Sequence, residues 1–201
     1  MHYIKIITLA FCLLCSCQNN AQKQDKYLYG NICLTDNIET SLAKGTIVST
    51  GKSILNPTGF TLANNSFEGI TFNKSIVGFS NSIEYIKLST QHGYNEIKKG
   101  VKDNSESLFN QTLQRLCQLY SNMQEYTIDK TIESDGYNIH KKGTGYKWET
   151  ANKRIKLEKY SGNVYKTSKN ENKNTYGWSA GFSMAEIEYG GNFVELTFEK
   201  K

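Results

Sequence analysis

A single proline, Pro57, stands in 201 residues, which excludes collagen-like repeats and proline-rich recognition segments. Arginine is nearly as scarce, with Arg115 and Arg154 set against twenty-two lysines. Reading base edges relies on the bidentate guanidinium fork, so nucleic acid is not an expected partner. Of the three histidines, His92 sits in a Gly-containing stretch and His140 precedes Lys141-Lys142, and neither lies in an HExxH pattern or beside a second ligand. Both read as solvated loop residues. There is no Gly-x-Ser-x-Gly elbow, P-loop or dinucleotide-binding fingerprint; Gly143-Thr144-Gly145 is too short and precedes a strand. Asp135-Gly136 reads as a turn and lacks the alternating ligands of a calcium loop. No catalytic residue, metal or cofactor is therefore assigned. Hydrophobic content of 38% excludes a polytopic membrane protein, while 12% aromatic residues argue against wholesale disorder.

The clearest signal lies at the start. Met1 to Lys5 is a short cationic segment, and Ile6 to Leu14 is an apolar run broken only by Thr8. That run is too short to span a bilayer, which needs about 20 residues, and reads as the core of a signal peptide. Leu14-Cys15-Ser16-Cys17 follows, with Leu at −3 and the small Ser at −1 before Cys17. This pattern resembles the lipobox of bacterial lipoproteins. The resemblance covers residues 1–17 and implies that Cys17 becomes the lipidated first residue of the mature chain. It further implies a location in the bacterial cell envelope, lipid-anchored to a membrane and facing either the periplasm or the surface. Residues 1–16 are then signal peptide, 17–26 a flexible tether and 27–201 a single domain. Removing 1–16 takes away Lys5 alone among charged residues, so the net charge falls from +5 to +4.

Besides Cys17, processing leaves Cys33 and Cys117. In an oxidising compartment they are a candidate disulfide, or else two buried thiols acting as small hydrophobes. Both are expected to be buried, Cys33 in an apolar patch and Cys117 near the apolar face of a helix.

The pattern of elements predicts an α+β fold, an antiparallel sheet of about six to eight strands with one major amphipathic helix packed on it. Tyr27–Leu34 reads as a strand, and Asp36–Ala43 as a short helix capped by Thr35. Gly69–Gly78 and Ser82–Thr90 form a hairpin, and His92–Asn104 a loop. The major helix covers about 105–122, where Phe109, Leu113, Leu116 and Tyr120 recur at helical spacing. From Glu125 the period becomes two. Tyr146 and Trp148, then Ile155 and Leu157, then Val194, Leu196 and Phe198 mark inward faces, with Gly190-Gly191-Asn192 as a turn. The opposite, wet face carries Arg154, Lys156, Glu158, Glu186, Glu188, Glu195 and Glu199.

Two function classes remain. The first is a non-catalytic lipoprotein that binds a protein partner or an envelope polymer such as a glycan, with Tyr176 and Trp178 beside the polar 166–174 stretch as the partner anchor. An immunity-type inhibitor of a delivered toxin is one version of it. The second class is a hydrolase whose site is assembled from distant residues.

Overall fold

The computed structural model describes residues 26–53, 56–93, 97, 99–134, 137–166 and 187–201. Its centre is a six-stranded antiparallel sheet, predominantly β architecture with one main helix. In chain order the elements are β1 (Tyr27–Tyr29), β2 (Ile32–Cys33), α1 (Ile38–Ala43), β3 (Ile47–Ser49), β4 (Phe60–Leu62), β5 (Ser66–Phe67) and β6 (Ile70–Thr71). Then come β7 (Lys74–Phe79), β8 (Ile83–Gly93), α2 (Ser105–Leu119), β9 (Gln124–Ser134), β10 (Tyr137–Glu149), β11 (Lys153–Lys166) and β12 (Ile187–Lys200). The large sheet runs β7-β8-β12-β11-β10-β9, and β1-β2, β3-β4 and β5-β6 are separate two-stranded pairs.

Alternation decides the two faces of the large sheet. Ile86 and Leu88 of β8, Trp148 of β10, Ile155 and Leu157 of β11, and Val194, Leu196 and Phe198 of β12 point one way and are fully or almost fully buried. Leu108, Phe109 and Leu116 of α2 close over them, and Leu28, Ile47, Leu62 and Phe67 from the small pairs complete the same core. The α2 stripe is Ser105, Leu108, Phe109, Thr112 and Leu116, spaced three and four apart, so one helix face meets the sheet.

Several expectations need correction. The helix ends at Leu119, where Tyr120 turns extended, and not at 122. Asn37, not Thr35, caps α1, its side-chain oxygen accepting from the Thr40 amide at 2.8 Å. The first strand is broken into β1 and β2 around Gly30, whose φ of +51° favours glycine. His92 belongs to β8 and is buried, and His140 belongs to β10, so neither is a loop residue. Gly190 and Gly191 do not turn the chain. They lie inside β12, opposite Asn163 and Gly162 of β11. The reason is close packing: a Cβ on Gly191 would stand 2.3 Å from the carbonyl oxygen of His92. The β7-β8 hairpin forms, with Phe79 opposite Ile83, but its first strand begins at Lys74 and not at Gly69, because Ile70 and Thr71 pair with β5.

Candidate functional site

At its N-terminal end α2 crosses the middle of β10–β12, and a groove of about 340 Å3 opens there. Asp103, Ser105 and Glu106 line it from the helix side, and Lys142, Lys159 and Asn192 from the sheet. Asn104 occupies the N-cap position but makes no side-chain cap bond, because its amide oxygen lies 2.7 Å from Nε2 of buried His92. Asp103 substitutes for it. One carboxylate oxygen accepts from the Ser105 amide at 2.9 Å, and the other accepts from Nδ2 of Asn192. Burial would raise the Asp103 carboxyl, but the bonds from Ser105 and Asn192, with His92 nearby, outweigh it and hold the group below its usual range. Lys159 pairs with Glu106 and lies 5.2 Å from the ring centre of Phe109. That pair holds the Glu106 carboxyl below its usual range. The arrangement fixes the first turn of α2 against three strands and exposes hydrogen-bonding groups of both signs.

The opposite sheet face is less wet than its sequence suggests. Tyr160 is buried and stacks on Phe193 with ring centres 5.0 Å apart. Lys141 Nζ donates to the Tyr160 hydroxyl at 2.8 Å and lies 4.2 Å from its ring centre. The Glu195 carboxylate sits 3.8 Å from both Lys141 and Lys87, and Lys156 meets Glu199 at 2.9 Å. Arg154 pairs with Glu149 at 3.0 Å, and the Tyr126 hydroxyl donates to Glu158 at 2.9 Å. Burial lowers the Lys141 ammonium, opposed by Glu195. Burial first, then the neighbouring carboxylates, raises the Tyr160 and Tyr126 hydroxyls. Four glycines on this face, Gly143, Gly145, Gly162 and Gly191, make room for the network. The Tyr126 ring covers Gly145 and the Phe193 ring covers Gly162. Arg154, Lys156, Glu158, Glu195 and Glu199 share this face as expected; Glu186 and the side chain of Glu188 lie outside the described residues.

Cys17, Tyr176 and Trp178 also lie outside the described residues. Cys33 and Cys117 are free thiols, so the candidate disulfide is not formed, and their exposure corrects the expected burial. Cys117 sits one residue beyond Leu116, about 100° around the helix, so it leaves the buried stripe and is exposed. Its sulfur approaches that of Met123 at 3.7 Å. Cys33 is half-buried at the end of β2.

Sequence reasoning overlooked buried Lys153, whose ammonium donates to the Tyr27 carbonyl at 2.8 Å and faces the Tyr120 ring. The signal was present, since Lys153 shares the parity of inward Ile155 and Leu157. Asp103 and Asn192, 89 residues apart, left no comparable trace. Among the described residues no group of three or more His, Cys, Asp or Glu is placed to hold a metal, and no helix is long and apolar enough to cross a membrane. Comparison of the chain with family models, curated proteins and solved structures gives no match.

Proposed function

We propose that this chain is a lipid-anchored lipoprotein of the bacterial cell envelope that binds a protein partner or envelope polymer at the end of its sheet farthest from the anchor. One observation carries the reading: the strands outrun the helix that covers them. Fourteen residues of β11 extend about 46 Å, whereas fifteen residues of α2 extend about 22 Å. The helix reaches from Lys153, beside Tyr120, to Lys159, beside Glu106. Beyond Lys159, and beyond Gly93 where β8 ends, the sheet narrows to β9–β12 and no described element covers it. Thr131, His140 and Asn163 occupy the helix-side face there, and Asp129, Lys142 and Ser161 border it where the groove opens, all partly or fully exposed. A surface of that composition exchanges hydrogen bonds and charge with a partner.

The position of the tether supports the same reading. The described chain starts at Lys26, and Lys153 holds the Tyr27 carbonyl at the other end of β11. A lipid on Cys17 therefore leaves the polar end directed away from the membrane. β11 ends and β12 begins at that polar end, and Tyr176 and Trp178 lie in the sequence between them, outside the described residues. Affinity capture from solubilised envelope, with the full lipidated chain as bait, tests the reading. Trp178→Ala is expected to weaken capture by more than about 1 kcal/mol, roughly fivefold, with an unchanged melting temperature. Undiminished capture by that variant, or turnover of an envelope substrate abolished by changing one polar residue, overturns it.

A further inference from the structure

The two edges of the large sheet are treated differently. The β7 edge is occupied: the Ser75 hydroxyl accepts from the Leu62 amide of β4 at 2.8 Å and bonds the Thr61 hydroxyl at 2.6 Å. At the other edge, no described strand pairs with the outer side of β9. Natural edges are commonly guarded by shortness, proline, a bulge or several lysines. β9 runs for eleven residues, pairs with β10 without a register break, contains no proline and carries one lysine, Lys130. Its side chains from Gln124 to Ile132 are exposed except Tyr126 and Ile128, and Met123 and Ile132 add exposed apolar surface near its ends.

We infer that β9 pairs with β9 of a second copy, antiparallel about a two-fold axis at Ile128, joining two six-stranded sheets into one. The choice of occupant rests on self-complementarity. A two-fold axis perpendicular to the sheet keeps each side chain on its own face, so residues opposite one another must share parity. Three such registers pair nine or more residues of β9. One sets Asp129 against Asp129 of the second copy, and another sets Lys130 against Lys130 of the second copy. Like charges directly opposed destabilise a sheet. The remaining register places Ile128 against itself, Tyr126 against Lys130, Thr127 against Asp129 and Glu125 against Thr131, with no like-charge pair. Lys130 there meets an aromatic ring, a favourable cation–π partner. The pairing uses Asp129 and Thr131, which belong to the surface assigned to a partner above, but it does not depend on that assignment.

Sedimentation velocity of the full chain in detergent, across a concentration series, tests the inference. Thr127 is exposed and lies opposite Asp129 of the second copy in this register, so opposite charges at 127 have opposite effects. The wild-type chain is expected to reach the mass of two copies. Thr127→Asp is expected to move the dimerisation midpoint to at least tenfold higher concentration, and Thr127→Lys to lower concentration, with both variants melting as the wild type does. A single-copy mass throughout overturns the inference, as does a dimer whose midpoint responds alike to both charges.

Discussion

Alanine at Gly143 tests whether space or propensity governs the centre of the meander. Glycine inside a strand is ordinarily about 0.5–1 kcal/mol less favourable than alanine, so propensity alone has Gly143→Ala stabilise the protein. The structure reverses the sign. A Cβ at this position would stand 2.0 Å from the carbonyl oxygen of Lys159 and 2.6 Å from the Cα of Tyr160, both in the neighbouring strand. Neither is the tip of a flexible side chain, so β10 and β11 must move apart where they pair Gly143 with Tyr160. Overpacking of this kind costs about 1–3 kcal/mol, and in a chain of this size the melting temperature falls by roughly 3–10 °C. Gly145→Ala is the internal control. Its added carbon meets the Tyr126 ring at 2.3 Å, which can swing aside by giving up its bond to Glu158, a loss of about 1 kcal/mol. Thermal unfolding followed by circular dichroism ranks the two, with Gly143→Ala expected to be the less stable. A Gly143→Ala protein at least as stable as the wild type would refute the steric account.

Two further outcomes follow from the groove and the thiols. Because the folded Asp103 carboxyl titrates below its unfolded value of about 3.9, its contribution to stability is present above that pH and is lost as the pH falls toward the folded value. Denaturant unfolding between pH 6 and pH 3 is then expected to show a smaller acid loss in Asp103→Asn than in the wild type; equal slopes would remove Asp103 from the acid response. Thiol labelling of the folded, unreduced protein is expected to modify exposed Cys117 first and half-buried Cys33 more slowly. Recovery of neither thiol after unfolding without reductant would mean that the two are bonded.

Periodicity carried the parts of the fold that obey a repeating rule. Phe109 and Leu116 at helical spacing located α2, and the alternation of Ile155, Leu157, Val194, Leu196 and Phe198 located the inner face of the meander. Cys117 was misplaced because a stripe read from Phe109, Leu113 and Leu116 is rotated slightly from the one centred on Leu108, Thr112 and Leu116. Gly190-Gly191 read as punctuation because glycine signals either a turn or a close approach, and only the His92 backbone across from it decides which. His92 looked like a loop residue for a similar reason. Its strand is completed by pairing with Asn192, one hundred residues away. The groove is tertiary throughout, since Asp103 caps α2 only when Asn104 is drawn off to His92 and Asn192 is supplied by the last strand.

The clasp between Lys153 and the Tyr27 carbonyl sets the direction in which this protein bears load. With the chain held at Tyr27 and pulled from the far end of β9–β12, force runs along the strands and across every rung of their ladders at once. Thirteen paired positions join β10 to β11. In that geometry the rungs resist in parallel, whereas a pull perpendicular to the strands would open them one after another. Rupture then begins at the small β1-β2 pair and the lysine that fastens it, before the long ladders of β9–β12 give way.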